Sequence, residues 1–259
     1  YHIRHAGNGV HEVHQIDSAR FPPDGPERPV PPAPPAQPES FFPPSQPDDG
    51  STIDVMVVYT ATTRAAAGGT AAIEALINLA ITETNQSYAN SGIIQRLRLV
   101  RTEEVAYAET GDLYADLDCI SNTADGCLDG IHALRDAHGA DLVSLWVENG
   151  GAYCGLAWFM SSVSTSFAPN GFSTVARSCA TGYYSFGHEL GHNMGARHDT
   201  YVDSGTTPYA YAHGYAYPAA ASPWRTIMAY NNACTAAGKN CARVQYWSNP
   251  SVSYGGVPM

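Results

Sequence analysis

The chain reads as an α+β protein: a twisted mixed β-sheet with packed helices, followed by a smaller, irregular C-terminal part. Three observations lead to that reading. β-rich runs alternate with helical segments between residues 51 and 195. One of those segments, from Thr70 to about Asn90, carries apolar side chains at helical spacing. After Gly195 neither period is sustained, and the chain reads as loop and irregular strand.

Residues 1–50 stand apart from the rest. Between Tyr1 and Phe21, Val10, Val13 and Ile16 suit an edge strand or a hairpin. Twelve of the 18 prolines then fall between Pro22 and Pro47. Proline fixes φ and lacks an N–H, so this tract favours extended polyproline II and is expected to carry little core. The expected boundary lies near Asp49-Gly50, with one large domain over residues 51–259. That domain opens with Ile53-Asp54-Val55-Met56-Val57-Val58-Tyr59, a run fit for a buried strand. Thr70 is placed to cap the long helix, whose apolar face is Ile73, Leu76, Ile77, Ala80 and Ile81. Leu97–Val105 reads as a second strand, Asp118–His138 as a region holding a second helix, and Leu142–Val147 as a third, apolar strand. Phe172–Arg177 is a short strand, and its exposed edge over Ser173–Arg177 is expected to pair with an extended substrate.

Composition narrows the classes. The formal net charge is −11 and Lys239 is the only lysine, so no nucleic-acid partner is expected. No apolar run reaches the length of a membrane span, and a monomer is expected. The six cysteines, Cys119, Cys127, Cys154, Cys179, Cys234 and Cys241, include no C-x-x-C pair. An even count suits disulfides and an extracellular setting. The short spacings favour local bridges, Cys119–Cys127, Cys154–Cys179 and Cys234–Cys241, among fifteen possible pairings. Asn85-Gln86-Ser87 fits a glycosylation sequon but falls inside the expected helix.

The chemistry is concentrated in His188-Glu189-Leu190-Gly191-His192-Asn193-Met194-Gly195-Ala196-Arg197-His198-Asp199. His188 and His192 are four apart, so on a helix both imidazoles leave one face. Gly195 can take the positive φ that ends a helix, which lets the chain turn and bring His198 to the same point. Three neutral imidazoles leave a tetrahedral zinc with one open position, the arrangement of a catalytic site. Glu189, beside the first histidine, cannot share its bearing and is placed to reach a zinc-bound water. His132, His138 and His213 have no partner at metal spacing and read as ordinary loop or surface histidines.

The long form H-E-x-x-H-x-x-G-x-x-H, together with Thr226-Ile227-Met228-Ala229-Tyr230, resembles the metzincin clan of zinc endopeptidases. The second element looks like the Met-turn, in which Met228 lies beneath the ligands. Asp199 directly after the third histidine is the adamalysin/reprolysin choice, and from Asp54 onward the chain resembles the catalytic domains of secreted bacterial proteases of that kind. The resemblance implies one catalytic zinc on His188, His192 and His198, Glu189 as general base, and Asp199 as support for the turn. Structural calcium is possible but not indicated. Tyr230 departs from the adamalysin pattern, which usually has proline there; tyrosine at that place resembles astacins and serralysins, where it can reach the metal or the transition state. The first 50 residues resemble the tail of a protease propeptide, and with no cysteine they hold no cysteine switch.

The expected reaction is hydrolysis of internal peptide bonds in protein or peptide substrates. Zinc activates a water, and Glu189 takes its proton and later delivers it to the leaving amine. The alternatives are a non-catalytic binding module on the same scaffold, or a latent zymogen held by residues 1–49.

Overall fold

A computed structural model describes residues 2–5, 10–17, 20–30 and 52–259. Its centre is a sheet of order β3-β7-β8-β6-β4-β5. The strands are β3 (Arg28–Pro29), β4 (Thr52–Thr60), β5 (Arg96–Val105), β6 (Leu142–Val147), β7 (Gly155–Phe159) and β8 (Phe172–Ala176). β5, β4, β6 and β8 run parallel, and β7 lies antiparallel on the outer side of β8. A separate hairpin pairs β1 (His2–His5) with β2 (His11–His14), in the stretch where an edge strand or hairpin is expected.

The parallel centre needs cover on both faces, and β4 shows how the sequence supplies it. Val55, Val57 and Tyr59 point to one side, where they meet α2 (Thr70–Asn90) and α6 (Ser185–Asn193) through Ile73, Ile77, Phe186 and Leu190. Met56 and Val58 point to the other, towards α3 (Leu113–Ser121) and α4 (Gly130–His138) through Leu113, Leu117, Ile120 and Ile131. That alternation is the strand period of two expressed as two cores. Ile73, Ile77, Ala80, Ile81, Thr84 and Tyr88 form the buried stripe of α2. Each isoleucine so buried contributes about 1.5–3 kcal/mol.

After α6 the chain builds small pieces: β9 (Ala216–Tyr217), β10 (Trp224–Arg225), α7 (Asn232–Ala236), β11 (Ala242–Arg243), β12 (Ser253–Tyr254) and β13 (Val257–Pro258). β10 is the middle strand between β9 and β11. Trp224, Val244 and Met259 form its core, with Tyr215, Tyr217, Tyr246 and Tyr254 packed around it. Disulfides join Cys119 to Cys127, Cys154 to Cys179 and Cys234 to Cys241. Among the described residues no single helix is long and apolar enough to cross a membrane.

Several local expectations change. Gly69, not Thr70, caps α2, and no side chain bonds to that helix end. The stretch Asp118–His138 is shared by two helices, because Asp112 caps α3 through the Tyr114 N–H six residues earlier. α1 (Ala61–Ala67) is an additional helix, capped by Thr60. Arg177 leaves the strand to begin the short helix α5 (Arg177–Ala180), and α7 follows Tyr230 where loop was expected. β8 is not the exposed edge; β7, whose apolar run Gly155–Phe159 was not assigned, lies outside it. The Asn85 amide is committed to both backbone groups of Leu97, and Ser87 is buried, so the sequon is not a free surface site. Residues 31–51 of the proline tract lie outside the described residues.

Candidate metal centre

All nine residues of α6 are buried. The helix rests on the sheet and on α2, and the end of the motif is fixed by backbone geometry. Gly195 has φ +87° and its N–H donates to the His192 carbonyl, while the Ala196 N–H donates to the Gly191 carbonyl. This pair of bonds is the Schellman ending, which needs a left-handed residue where the sequence places glycine. Asn193 fastens the same end to the sheet by donating to the carbonyls of Trp158 and Phe172.

The turn brings three imidazoles to one point. The Nε2 atoms of His188, His192 and His198 lie 3.1–3.2 Å from one another. Ligands about 2.0–2.1 Å from a tetrahedral zinc stand about 3.3 Å apart, so the triad has the footprint of that ion. On the far side of the rings, His188 Nδ1 lies 2.9 Å from the Ile227 carbonyl and His192 Nδ1 lies 2.8 Å from the Ala196 carbonyl. Protons on Nδ1 satisfy those oxygens and leave the Nε2 lone pairs facing the centre. His198 Nδ1 lies 3.4 Å from Glu27 Oε1. Burial lowers the pKa of all three, with Arg243 adding at His188 and the neighbouring imidazoles at His198; His192 falls to about 4. The set is therefore neutral at pH 7, as metal ligands must be.

Glu189 is fully buried, and neither carboxylate oxygen has a hydrogen-bond partner among the described residues. Burial, then the Asp24 charge, pushes its pKa well above the ordinary glutamate value. A buried acid left this way is costly unless a ligand meets it. β7 passes so close that a Cβ on Gly155 would run into the carboxylate. Only glycine lets β7 come this close to Glu189.

The residues after His198 hold the site from below. Met228 is buried, and its sulfur lies against Gly191 between the two helical histidines. The turn it sits in is pinned by Thr226 and Ile227, whose N–H groups donate to Tyr215 and Tyr246. Asp199 accepts from the backbone N–H of Tyr201 at 3.2 Å and of Tyr230 at 2.8 Å, so it ties the turn after His198 to the Met228 loop. The Tyr230 ring lies 3.9 Å from the His198 ring, centroid to centroid. Its hydroxyl is shared between the carbonyls of Asp24 and Gly25, both at 2.7 Å. His213 is not a bystander: its two ring nitrogens lie against the carbonyls of His198 and Gly205 at 2.7 and 2.8 Å.

Four site residues carried no signal in the sequence. Residues 21–30 pack as a strap against β7, and the strap buries Asp24 with its Oδ2 2.7 Å from Arg243 Nη1 and 3.8 Å from His188 Nδ1. Glu27 accepts from the His198 backbone N–H at 2.9 Å. Its pKa is pushed up to about 7 by burial and by a hydrogen bond with Asp203. Arg243 and Arg225 are both buried beside the Tyr183 ring, 4.7 and 5.6 Å from its centroid. No spacing links these residues to the histidine motif. The only pointer was two arginines in a chain poor in cations.

Comparison with known proteins agrees with this geometry. The Reprolysin_5 model of metallo-peptidase family M12 matches residues 49–248. The peptidyl-Asp metalloendopeptidase of Stenotrophomonas maltophilia strain K279a is 42% identical over 263 residues, covering 100% of this chain and 60% of that protein. The enzyme of the same name from Xanthomonas campestris pv. campestris is 41% identical over 260 residues, covering 100% of this chain and 59% of that protein. The chain thus spans about three fifths of the length of these relatives. The Pseudomonas fragi protein of that name is 38% identical over 172 residues, 66% of this chain and 85% of its own. A chain in a solved chaperone–substrate complex shares the fold, with TM-score 0.57 and 22% identity over 80% of this chain and 31% of that one. The chain belongs to metallo-peptidase family M12.

Proposed function

We propose that this chain is a secreted zinc endopeptidase that hydrolyses internal peptide bonds next to aspartate in protein substrates. The observation that carries the reading is the set of three inward-facing Nε2 atoms beside a buried glutamate with two unpaired oxygens. His188, His192 and His198 would hold the ion. Bound there, zinc supplies Lewis-acid polarisation of the scissile carbonyl and makes water acidic enough to lose a proton near neutrality. With the ion's charge nearby offsetting the burial that favours its protonated form, Glu189 would take that proton as a carboxylate and return it to the leaving amine. Tyr230 already donates its hydroxyl to peptide carbonyls, those of Asp24 and Gly25, and is placed to do the same for a substrate carbonyl. With residues 21–30 displaced, the edge of β7 that they cover would give an extended substrate its backbone partners, and the part after Gly195 forms the lower wall of the cleft. The aspartate preference is supported by the name shared by the relatives, and secretion by three disulfides.

The non-catalytic alternative requires loss of a histidine or the glutamate, and all four are present. The zymogen alternative gains support from the strap in the cleft and describes a state of the same enzyme. The test separates metal from base. Glu189→Ala should keep zinc by metal analysis and lose turnover, while His192→Ala should lose both. Full zinc in His192→Ala, or near-normal turnover in Glu189→Ala, overturns the assignment.

A further inference from the structure

Residues 21–30 lie along the cleft in the manner of a bound peptide. The Cys154 N–H donates to the Pro23 carbonyl and the Gly25 N–H donates to the Gly155 carbonyl, both at 2.8 Å. Arg28 and Pro29 then pair in parallel with Trp158 and Phe159 of β7. Phe21 stacks on Tyr183 at 4.7 Å, and the Arg28 guanidinium lies 4.1 Å from the Trp158 ring. Backbone pairing to a sheet edge with side chains set into pockets is how extended peptides are recognised. The strap thus uses the same edge that a substrate would.

One side chain of the strap is placed unlike the others. Asp24 is 2% exposed, and the Arg243 side chain that meets it is 1% exposed. The guanidinium does not depend on Asp24 for its place. Its Nε donates to the Ile227 carbonyl at 2.8 Å and its Nη1 to the Tyr183 carbonyl at 2.9 Å. Arg225 is held beside it by the Tyr183 hydroxyl and the Ala229 carbonyl, and its Nε has no partner in the protein. A cavity of about 420 Å³ opens here, lined by Asp24, Tyr183, Arg225, Tyr230, Asn231 and Lys239 among others. Arg225 lines this cavity and Arg243 lies buried beside it, so two guanidiniums meet the single carboxylate that the strap brings in. A buried arginine left without an acid is costly, so such a pocket discriminates strongly for a carboxylate.

We propose that Arg243 is the residue that reads the acidic side chain of a substrate, and that Asp24 fills this place as an internal pseudosubstrate. The proposal rests on the reading of the chain as an aspartate-directed endopeptidase, and adds the side chain that selects aspartate and the segment that competes with it. The strap then blocks the cleft by mimicry: the same ion pair that selects a substrate holds the enzyme latent. Release of the strap clears both the β7 edge and the arginine.

Binding tests this without relying on turnover. A labelled peptide with the sequence of residues 20–30 is titrated against the full chain carrying Asp24→Asn and Glu189→Ala. Asn for Asp in the peptide should weaken binding at least about tenfold, since an uncharged isostere leaves the guanidinium unpaired. The same loss should follow Arg243→Lys in the protein. The peptide substitution alone keeps the test valid if Arg243→Lys does not fold. Equal binding of the Asp and Asn peptides, or no saturable binding of the Asp peptide, overturns the proposal. In parallel, the full chain with Asp24→Asn alone should start cleaving an aspartate-containing peptide at least about tenfold faster than the unmodified chain. Equal initial rates overturn the latch. A bound peptide with no cleavage of any substrate would sink the endopeptidase reading while leaving the pocket standing.

Discussion

Helix α6 and the strap of residues 21–30 each bury one carboxylate at the histidine cluster, and hold it in opposite ways. Glu189 stands with both oxygens unpaired and is pushed towards the protonated form. Asp24 stands against Arg243, with one oxygen paired. The first acid is kept reactive by withholding partners, and the second is kept inert by supplying one. Under the proposed function, the difference is that between a group that moves a proton and a group that only occupies space and charge. It also separates two kinds of chain. α6 is locked by the sheet, α2 and Met228, whereas the strap is held from outside by edge hydrogen bonds, the Asp24–Arg243 and Arg28–Asp118 ion pairs, and bonds to Tyr230 and His198.

The largest expected effect breaks the reactive side of that contrast. Replacing Glu189 with alanine should lower kcat by about 10²–10⁴, the usual worth of a positioned acid–base group, with zinc content unchanged. The strap side should respond the other way. Limited proteolysis near Asp49-Gly50, followed by separation of the cut segment, is expected to raise turnover and to leave a cooperative melt. Loss of the melt on trimming would mean that residues 1–50 belong to the core.

These two regions were unequally legible in the sequence. The α6 motif declares itself because bringing three imidazoles to one point needs fixed spacing on one helix: His188 and His192 one turn apart, Gly195 for the left-handed ending, His198 after it. Strands β4 and β6 were readable because burial on both faces forces continuous apolar runs, and β5, at the end of the sheet, through the alternation of Leu97 and Leu99 with charged residues. β7 was missed for a physical reason. Gly155-Leu156-Ala157-Trp158-Phe159 is short, and its glycine, which weakens any strand assignment, is there to let Glu189 approach. Asp24 and Arg243 are 219 positions apart, so their pairing exists only in three dimensions. In the described part of the proline tract, residues 22–30, no helix forms, but proline is no obstacle at the outermost edge of a sheet, and β3 uses it there.

Smaller effects sharpen the comparison by testing what merely supports it. Asp199→Ala removes the charged acceptor for two part-buried backbone N–H groups, and should lower stability by about 1–3 kcal/mol in urea unfolding. Its turnover should fall as well, because the Met228 loop and the His198 turn lose their tie. A stability loss with unchanged turnover would reduce Asp199 to a structural role. At the other extreme, Arg64 and Glu104 form an ion pair at 2.5 Å on the half-exposed surface. Arg64→Ala should change stability by less than about 1 kcal/mol and leave the strap in place. A surface pair worth as much as the Asp24–Arg243 pair would show that burial is not what gives the latter its selectivity.

The most direct test of the account is crystallography of the zinc-loaded Glu189→Ala chain, with anomalous scattering at the zinc edge. The account predicts one peak about 2.0–2.1 Å from the Nε2 atoms of His188, His192 and His198, with Asp24 still paired to Arg243. A zinc held by fewer than these three histidines, or no peak between them, would contradict it.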